Sequence, residues 1–174
     1  IEILAGDPQV KICLWVEVFR PIIHAEIISD SNCKVQVSYE NWRQDALEVI
    51  PEFRHATISL RDYDKAVYTW PDEIYEKDQG VLFYHRNKDN DLLRDKLIVQ
   101  QSLEAVADSI PDTQKGRTFG GFIHGPNLVF ESVSEGTYIK TAFKSWNLCS
   151  QEAMREHSFS IHCHTEQTES AETW

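Results

Sequence analysis

The chain has 174 residues, of which 41% are hydrophobic and 26% charged. That is room for one domain with its own core, and it argues against extended disorder. Seventeen basic against 28 acidic side chains leave a net charge of −11. This is the wrong sign for nucleic-acid phosphates or anionic lipid, so neutral ligands such as sugars, or cationic ones, stay open.

In chain order, residues 1–4 read as a short strand and Gly6-Asp7-Pro8 as a turn. Over residues 10–19, Ile12, Leu14, Val16 and Val18 share one face while Cys13, Trp15, Glu17 and Phe19 share the other, the period of a strand. Arg20-Pro21 interrupts the pattern and residues 22–29 resume it. Asp30-Ser31-Asn32 reads as a turn, and residues 33–40 alternate again. Strands at about ten-residue spacing indicate an antiparallel sandwich or barrel. Residues 44–49 are read as a short helix, and 56–60, 66–70 and 80–84 as short strands.

The period changes over residues 91–109. Leu92, Val99, Leu103, Val106 and Ile110 recur near helical spacing, widened by Leu93 and Leu97. Asn90 or Asp91 can cap the start and Pro111 follows the end. Strand periodicity returns over 117–124, 128–133 and 137–143, with 147–156 read as a loop or single helical turn. Residues 158–165 close the pattern, with Phe159, Ile161 and Cys163 inward and His162 and His164 outward. The sum is a mainly β chain, an antiparallel β-sandwich with one inserted amphipathic helix near 91–109. No apolar run approaches the roughly 18 residues of a membrane-spanning helix.

Ile1 at the front, a single methionine at Met154 and a polar run over 165–174 lead us to expect a piece of a longer polypeptide. Residues 1–165 are then a sandwich domain, incomplete at its N-terminal end, and 166–174 begin a linker. Cys13, Cys33, Cys149 and Cys163 show no C-x-x-C spacing. Two disulfides and four free thiols both stay open.

Two strand ends carry the residue types a sugar-binding edge needs. Tyr84-His85-Arg86-Asn87 offers a ring, an imidazole, a guanidinium and an amide within four residues. Tyr39-Glu40-Asn41-Trp42-Arg43 is a second such cluster, in which Trp42 and Arg43 are the candidate contacts. Aromatic faces stack on pyranose rings, and Arg and Asn give fixed hydrogen bonds to hydroxyls. The structural alternative is a strand end whose charges pair locally. His162 and His164 form an H-x-H pair whose third ligand would have to come from elsewhere, from His157 or Glu166, so no metal is assigned. Paired glycines at 120–121 lie inside a strand and match no phosphate-binding loop. No catalytic residue is singled out, since nothing in the spacing selects a carboxyl pair among 28 acids.

Leu14-Trp15-Val16-Glu17-Val18-Phe19-Arg20-Pro21-Ile22-Ile23-His24-Ala25-Glu26 resembles a strand–turn–strand in the N-terminal domain of a group of glycoside hydrolase-like proteins, a domain of unknown function (DUF5703). The two clusters above, Arg117-Thr118-Phe119-Gly120, and the run from Ser160 to Thr168 are similar to further stations of that domain, in the same order. The resemblance implies a supersandwich-like domain placed before an (α/α) barrel, an arrangement similar to that of the family 95 fucosidases. The barrel would hold the catalytic acids, and sandwich loops would line one edge of the site. It implies a carbohydrate ligand, a helical barrel as partner, a parent that is a glycoside hydrolase, and a fragment without catalysis of its own; no cofactor is expected, and localisation stays open, a secreted or periplasmic parent included. Two alternatives stand beside it: an interdomain packing module without sugar contact, and a small metal-dependent enzyme using His162 and His164.

Overall fold

A computed structural model of the chain describes residues 1–7, 9–50, 66–88 and 93–174. In order, the strands are β1 (Glu2–Ala5), β2 (Val10–Val16), β3 (Ile22–Cys33), β4 (Gln36–Asn41), β5 (Leu47–Glu48), β6 (Tyr68–Thr69), β7 (Glu73–Lys77) and β8 (Gly80–Arg86). A helix α1 (Leu93–Gln100) and a 3₁₀ segment (Glu104–Ser109) follow. Then come β9 (Arg117–His124), β10 (Leu128–Tyr138), β11 (Thr141–Ser150) and β12 (Met154–Gln167), and a 3₁₀ turn (Ala171–Thr173). A seven-stranded sheet has the order β1-β2-β3-β12-β9-β8-β7, and a three-stranded sheet the order β10-β11-β4; β5 and β6 form a separate ribbon.

The two larger sheets face each other. Alternation decides which side chains meet. Val81 on β8 lies opposite Ile123 on β9, and Ile123 opposite Ile161 on β12, so one apolar row crosses three strands. Val81 and Ile123 pack with Leu128 and Leu148 of the small sheet, and all four are essentially buried. Phe83, Phe159 and Ile161 from one side and Val37, Tyr39, Phe130 and Trp146 from the other widen the core. Each such side chain contributes about 1.5–3 kcal/mol when fully buried. The small sheet's outer face is polar. There Asn147 Oδ1 accepts from Gln36, Ser38 and Ser145, while its Nδ2 donates to Ser132 and Ser134, so this buried amide is fully satisfied.

The β-sandwich and the inward set on β12 are as expected; several boundaries differ. The helix over 91–109 is interrupted. Ser102 takes φ 55°, and the amide of Leu103 bonds the Ile98 carbonyl while that of Ser102 bonds the Val99 carbonyl. This is a Schellman stop, with serine where glycine is usual. The apolar stripe fails too: Lys96 and Ile98 are buried, whereas Val99 and Val106 are exposed. The proposed caps Asn90 and Asp91, and the strand over 56–60, lie outside the described residues.

The short helix over 44–49 is instead the two-residue strand β5. Residues 30–32 continue β3 rather than turning, held by β12 through the pair Met154–Cys33. The expected strand over 137–143 is a hairpin, whose Ile139 and Lys140 take φ 44° and 67°. Most of the expected loop over 147–156 is strand, since β11 runs to Ser150 and β12 starts at Met154. Strand β2 stops at Val16, which leaves Val18 and Phe19 in the turn that follows. All four cysteines are free and partly buried. The Cys149 thiol is pushed up to about 11, first by a hydrogen bond with Glu131 and then by burial.

Candidate functional site

Strand parity splits the first cluster. On β8, Val81, Phe83 and His85 face the small sheet, while Leu82, Tyr84 and Arg86 face outward. His85 therefore sits at the rim of the core. The second cluster begins at the end of β4, on the sheet opposite. Tyr39 stacks on Phe83 with ring centres 4.1 Å apart, which holds the two sheets together at this end. Asn41 and Arg43 follow, and the amide of Asp72 donates to the carbonyl of Arg43.

Asp72 is the hub, with its side chain 13% exposed. Its Oδ1 lies 2.8 Å from His85 Nδ1 and 3.5 Å from Arg43 Nη1, and its Oδ2 accepts from Asn41 Nδ2 at 2.7 Å. The carboxylate fixes the tautomer of His85, with Nδ1–H donating to Oδ1. Arg43 Nη1 also comes within 3.1 Å of that Nδ1. Both groups are donors there, so the favourable partner of Arg43 is the carboxylate. His85 Nε2 has no hydrogen-bond partner among the described residues.

Asn41 is 3% exposed, and its Oδ1 is buried without a hydrogen-bond partner among the described residues. Burial, and then the charge of Asp72, push the Tyr39 hydroxyl above its ordinary range. One exposed ring, Phe119, borders this group: it lies opposite His85 in register, with ring centres 5.3 Å apart. Trp42 leans instead on Phe143 at 5.2 Å, on the outer face of the small sheet. The arrangement can accept a hydroxyl proton at Nε2, donate from the guanidinium and stack an apolar ring face. Its carboxylate is already held by three groups, whereas glycoside hydrolysis needs two carboxyls flanking the bond.

The other candidates lie elsewhere. Arg86 Nη1 donates to the Gly116 carbonyl and to the Thr118 and Thr168 hydroxyls; Nη2 donates to the carbonyls of Thr168 and Glu169. This guanidinium straps residues 168–169 to the sheet. It lines a shallow cleft of about 350 Å³ with Lys115, Gly116 and Gln167. Asn87 bonds Gln114. Tyr84 packs outward against Tyr75 and Trp174. In register Gly120 lies between His164 and Tyr84, and Trp174 touches both. A Cβ on Gly120 would collide with the backbone of Phe83 and Tyr84.

His164 pairs with Glu166, while His162 lies against His124 instead. Burial and the neighbouring His162 charge lower the His124 pKa. No group of three or more His, Cys, Asp or Glu able to hold a metal ion occurs among the described residues. Thus the structure gathers His85 and Arg43, and it disperses Trp42, Tyr84, Arg86 and Asn87. Sequence reading missed Asp72 and Phe119. Asp72 stands alone after Trp70-Pro71, and no local pattern marks it.

The model of one protein family, described as Domain of unknown function (DUF5703), matches residues 1–174. No curated protein and no solved structure matches the chain.

Proposed function

The chain belongs to the family described as Domain of unknown function (DUF5703), and from that premise we propose that it is a non-catalytic, carbohydrate-associated domain of a larger glycoside hydrolase-like protein. The sugar-facing edge is the rim around Asp72. The observation that carries this reading is the convergence of Arg43, Asn41 and His85 on one carboxylate beside an exposed ring, Phe119. Support comes from the kinds of groups left open. Nε2 of His85 has no hydrogen-bond partner among the described residues, the half-exposed Arg43 is a donor, and Phe119 offers an apolar face. Hydroxyls satisfy acceptors and donors alike, and the apolar face of a pyranose suits a ring.

The chain is applied to a glycan array, and the kinetics of the parent are measured with Phe119→Ala and Arg43→Ala. Each substitution should weaken sugar binding about tenfold, or raise KM by that factor, with unfolding unchanged. Silence on the array together with unaltered parent kinetics would remove the reading. A second reading, packing against a neighbouring domain, is favoured by the β2–β3 turn, where Val18 and Phe19 are 87% and 95% exposed. Phe19→Asp in the parent separates the two. It should leave array binding intact while loosening the domain interface to proteolysis.

A further inference from the structure

Six of the seven histidines lie in the described residues. Four have ring nitrogens engaged: His24 with Glu17 and Ser160, His85 with Asp72, His157 with the carbonyls of Cys33 and Met154, and His164 with Glu166. The two without a hydrogen-bond partner among the described residues are His124 and His162, and these two touch each other. His124 is opposite Ser160 and His162 is opposite Phe122, so they form a diagonal pair on the outer face of β9 and β12. Their ring centres are 5.0 Å apart, and Phe122 stacks on His124 at 5.1 Å, which fixes that ring. Both residues are exposed.

The separation has a chemical reading. A metal–imidazole bond of about 2.0–2.1 Å puts the ion about 3.2 Å from each ring centre. Two imidazoles at a square or tetrahedral angle then have centres roughly 4.5–5.2 Å apart. We propose that His124 and His162 form a bidentate bis-imidazole site for a borderline divalent transition ion, with the remaining positions filled by water or by oxygen atoms of a ligand. Neutral nitrogen donors without a carboxylate suit Cu²⁺, Ni²⁺ and Zn²⁺, and disfavour Mg²⁺ and Ca²⁺. The H-x-H spacing does not make this site, because His164 is turned to Glu166.

The test is calorimetric titration of the reduced, chelator-treated chain with CuCl₂, NiCl₂, ZnCl₂ and MgCl₂. One equivalent of Cu²⁺ should bind, more tightly than Ni²⁺ or Zn²⁺, and Mg²⁺ should give no heat. His124→Ala and His162→Ala should each weaken Cu²⁺ about tenfold or more, while His164→Ala changes it by less than about twofold. Thermal melting of the three metal-free variants should match the parent chain, since the substituted side chains are exposed. Binding that persists in both His124→Ala and His162→Ala would assign the ion to the thiols and overturn the proposal. So would loss of binding in His164→Ala alone, or Cu²⁺ affinity no better than about 1 mM.

Discussion

His85 and Arg86 are neighbours on β8, yet the pleat sends them to opposite faces and to opposite tasks. Outward, Arg86 makes five hydrogen bonds to Gly116, Thr118, Thr168 and Glu169 and holds the segment after β12 against the sheet. Inward, His85 shares Asp72 with Arg43, whose own side chain is 46% exposed and whose ion pair is 3.5 Å long. A guanidinium whose two terminal nitrogens both end on protein oxygens is structural. One whose ion pair among the described residues is long and half-exposed has donors to give to something else. Residue type does not distinguish Arg86 from Arg43; the number of protein acceptors around each does.

The sharpest way to break that contrast is to remove each guanidinium. Arg86→Ala leaves several part-buried carbonyls and hydroxyls without a donor and should cost about 3 kcal/mol. Arg43→Ala should cost less than about 1 kcal/mol, as exposed ion pairs do. Urea unfolding of the two variants gives both numbers. Arg86→Lys should recover only part of the loss, because one ammonium cannot span acceptors that a planar fork reaches. Equal costs for Arg86→Ala and Arg43→Ala would erase the distinction between clamp and rim.

The next effect in size tests whether the rim is one unit. Asp72→Ala strips a partner from His85 Nδ1 and from Asn41 Nδ2 and should cost about 2 kcal/mol. In a double-mutant cycle, Asp72→Ala and His85→Ala should couple by about 1 kcal/mol, since the two groups are 2.8 Å apart. Asp72→Ala and Arg86→Ala should add, because those side chains lie on opposite faces and share no partner. Coupling between the second pair, or none between the first, would redraw the site.

Much of this was legible in the residues. The alternation over residues 22–29 marked β3 as a strand, and that of Phe159 and Ile161 placed β12 with the correct face inward, because a half-buried strand must alternate. The hairpin at Ile139-Lys140 was not legible. Two-residue turns of this kind need positive φ at both positions and usually advertise it with Asn-Gly. Here a β-branched residue holds φ 44°. The tertiary pairing of β10 with β11 imposes that conformation, and no local pattern encodes it. The same holds for the break at Ser102 and for the hub of the site. Asp72 is 31 residues from Asn41 and 13 from His85, and only the closure of the sandwich brings the three together.

The smallest expected effect concerns a third arginine. Arg20 pairs with Glu17 through two bonds of 2.6 and 2.9 Å, yet its side chain is 68% exposed. Glu17 also meets His24 Nε2 at 2.8 Å. The hydrogen bond from His24, and then that from Arg20, hold the Glu17 carboxyl below its ordinary value of 4.5. A carboxyl lowered in the folded state contributes stability above its unfolded pKa and loses it as pH falls through the folded one. Glu17→Gln should therefore melt slightly below the parent chain at pH 7. The gap should shrink as pH drops below 4.5 and close once Glu17 is protonated in both states. Trp15 stacks on His24 at 5.2 Å, so its fluorescence reports this turn directly. A gap that stays constant from neutral to acid pH would show that the ion pair adds nothing, and that the backbone bonds from Glu17 and Ile22 hold the turn alone.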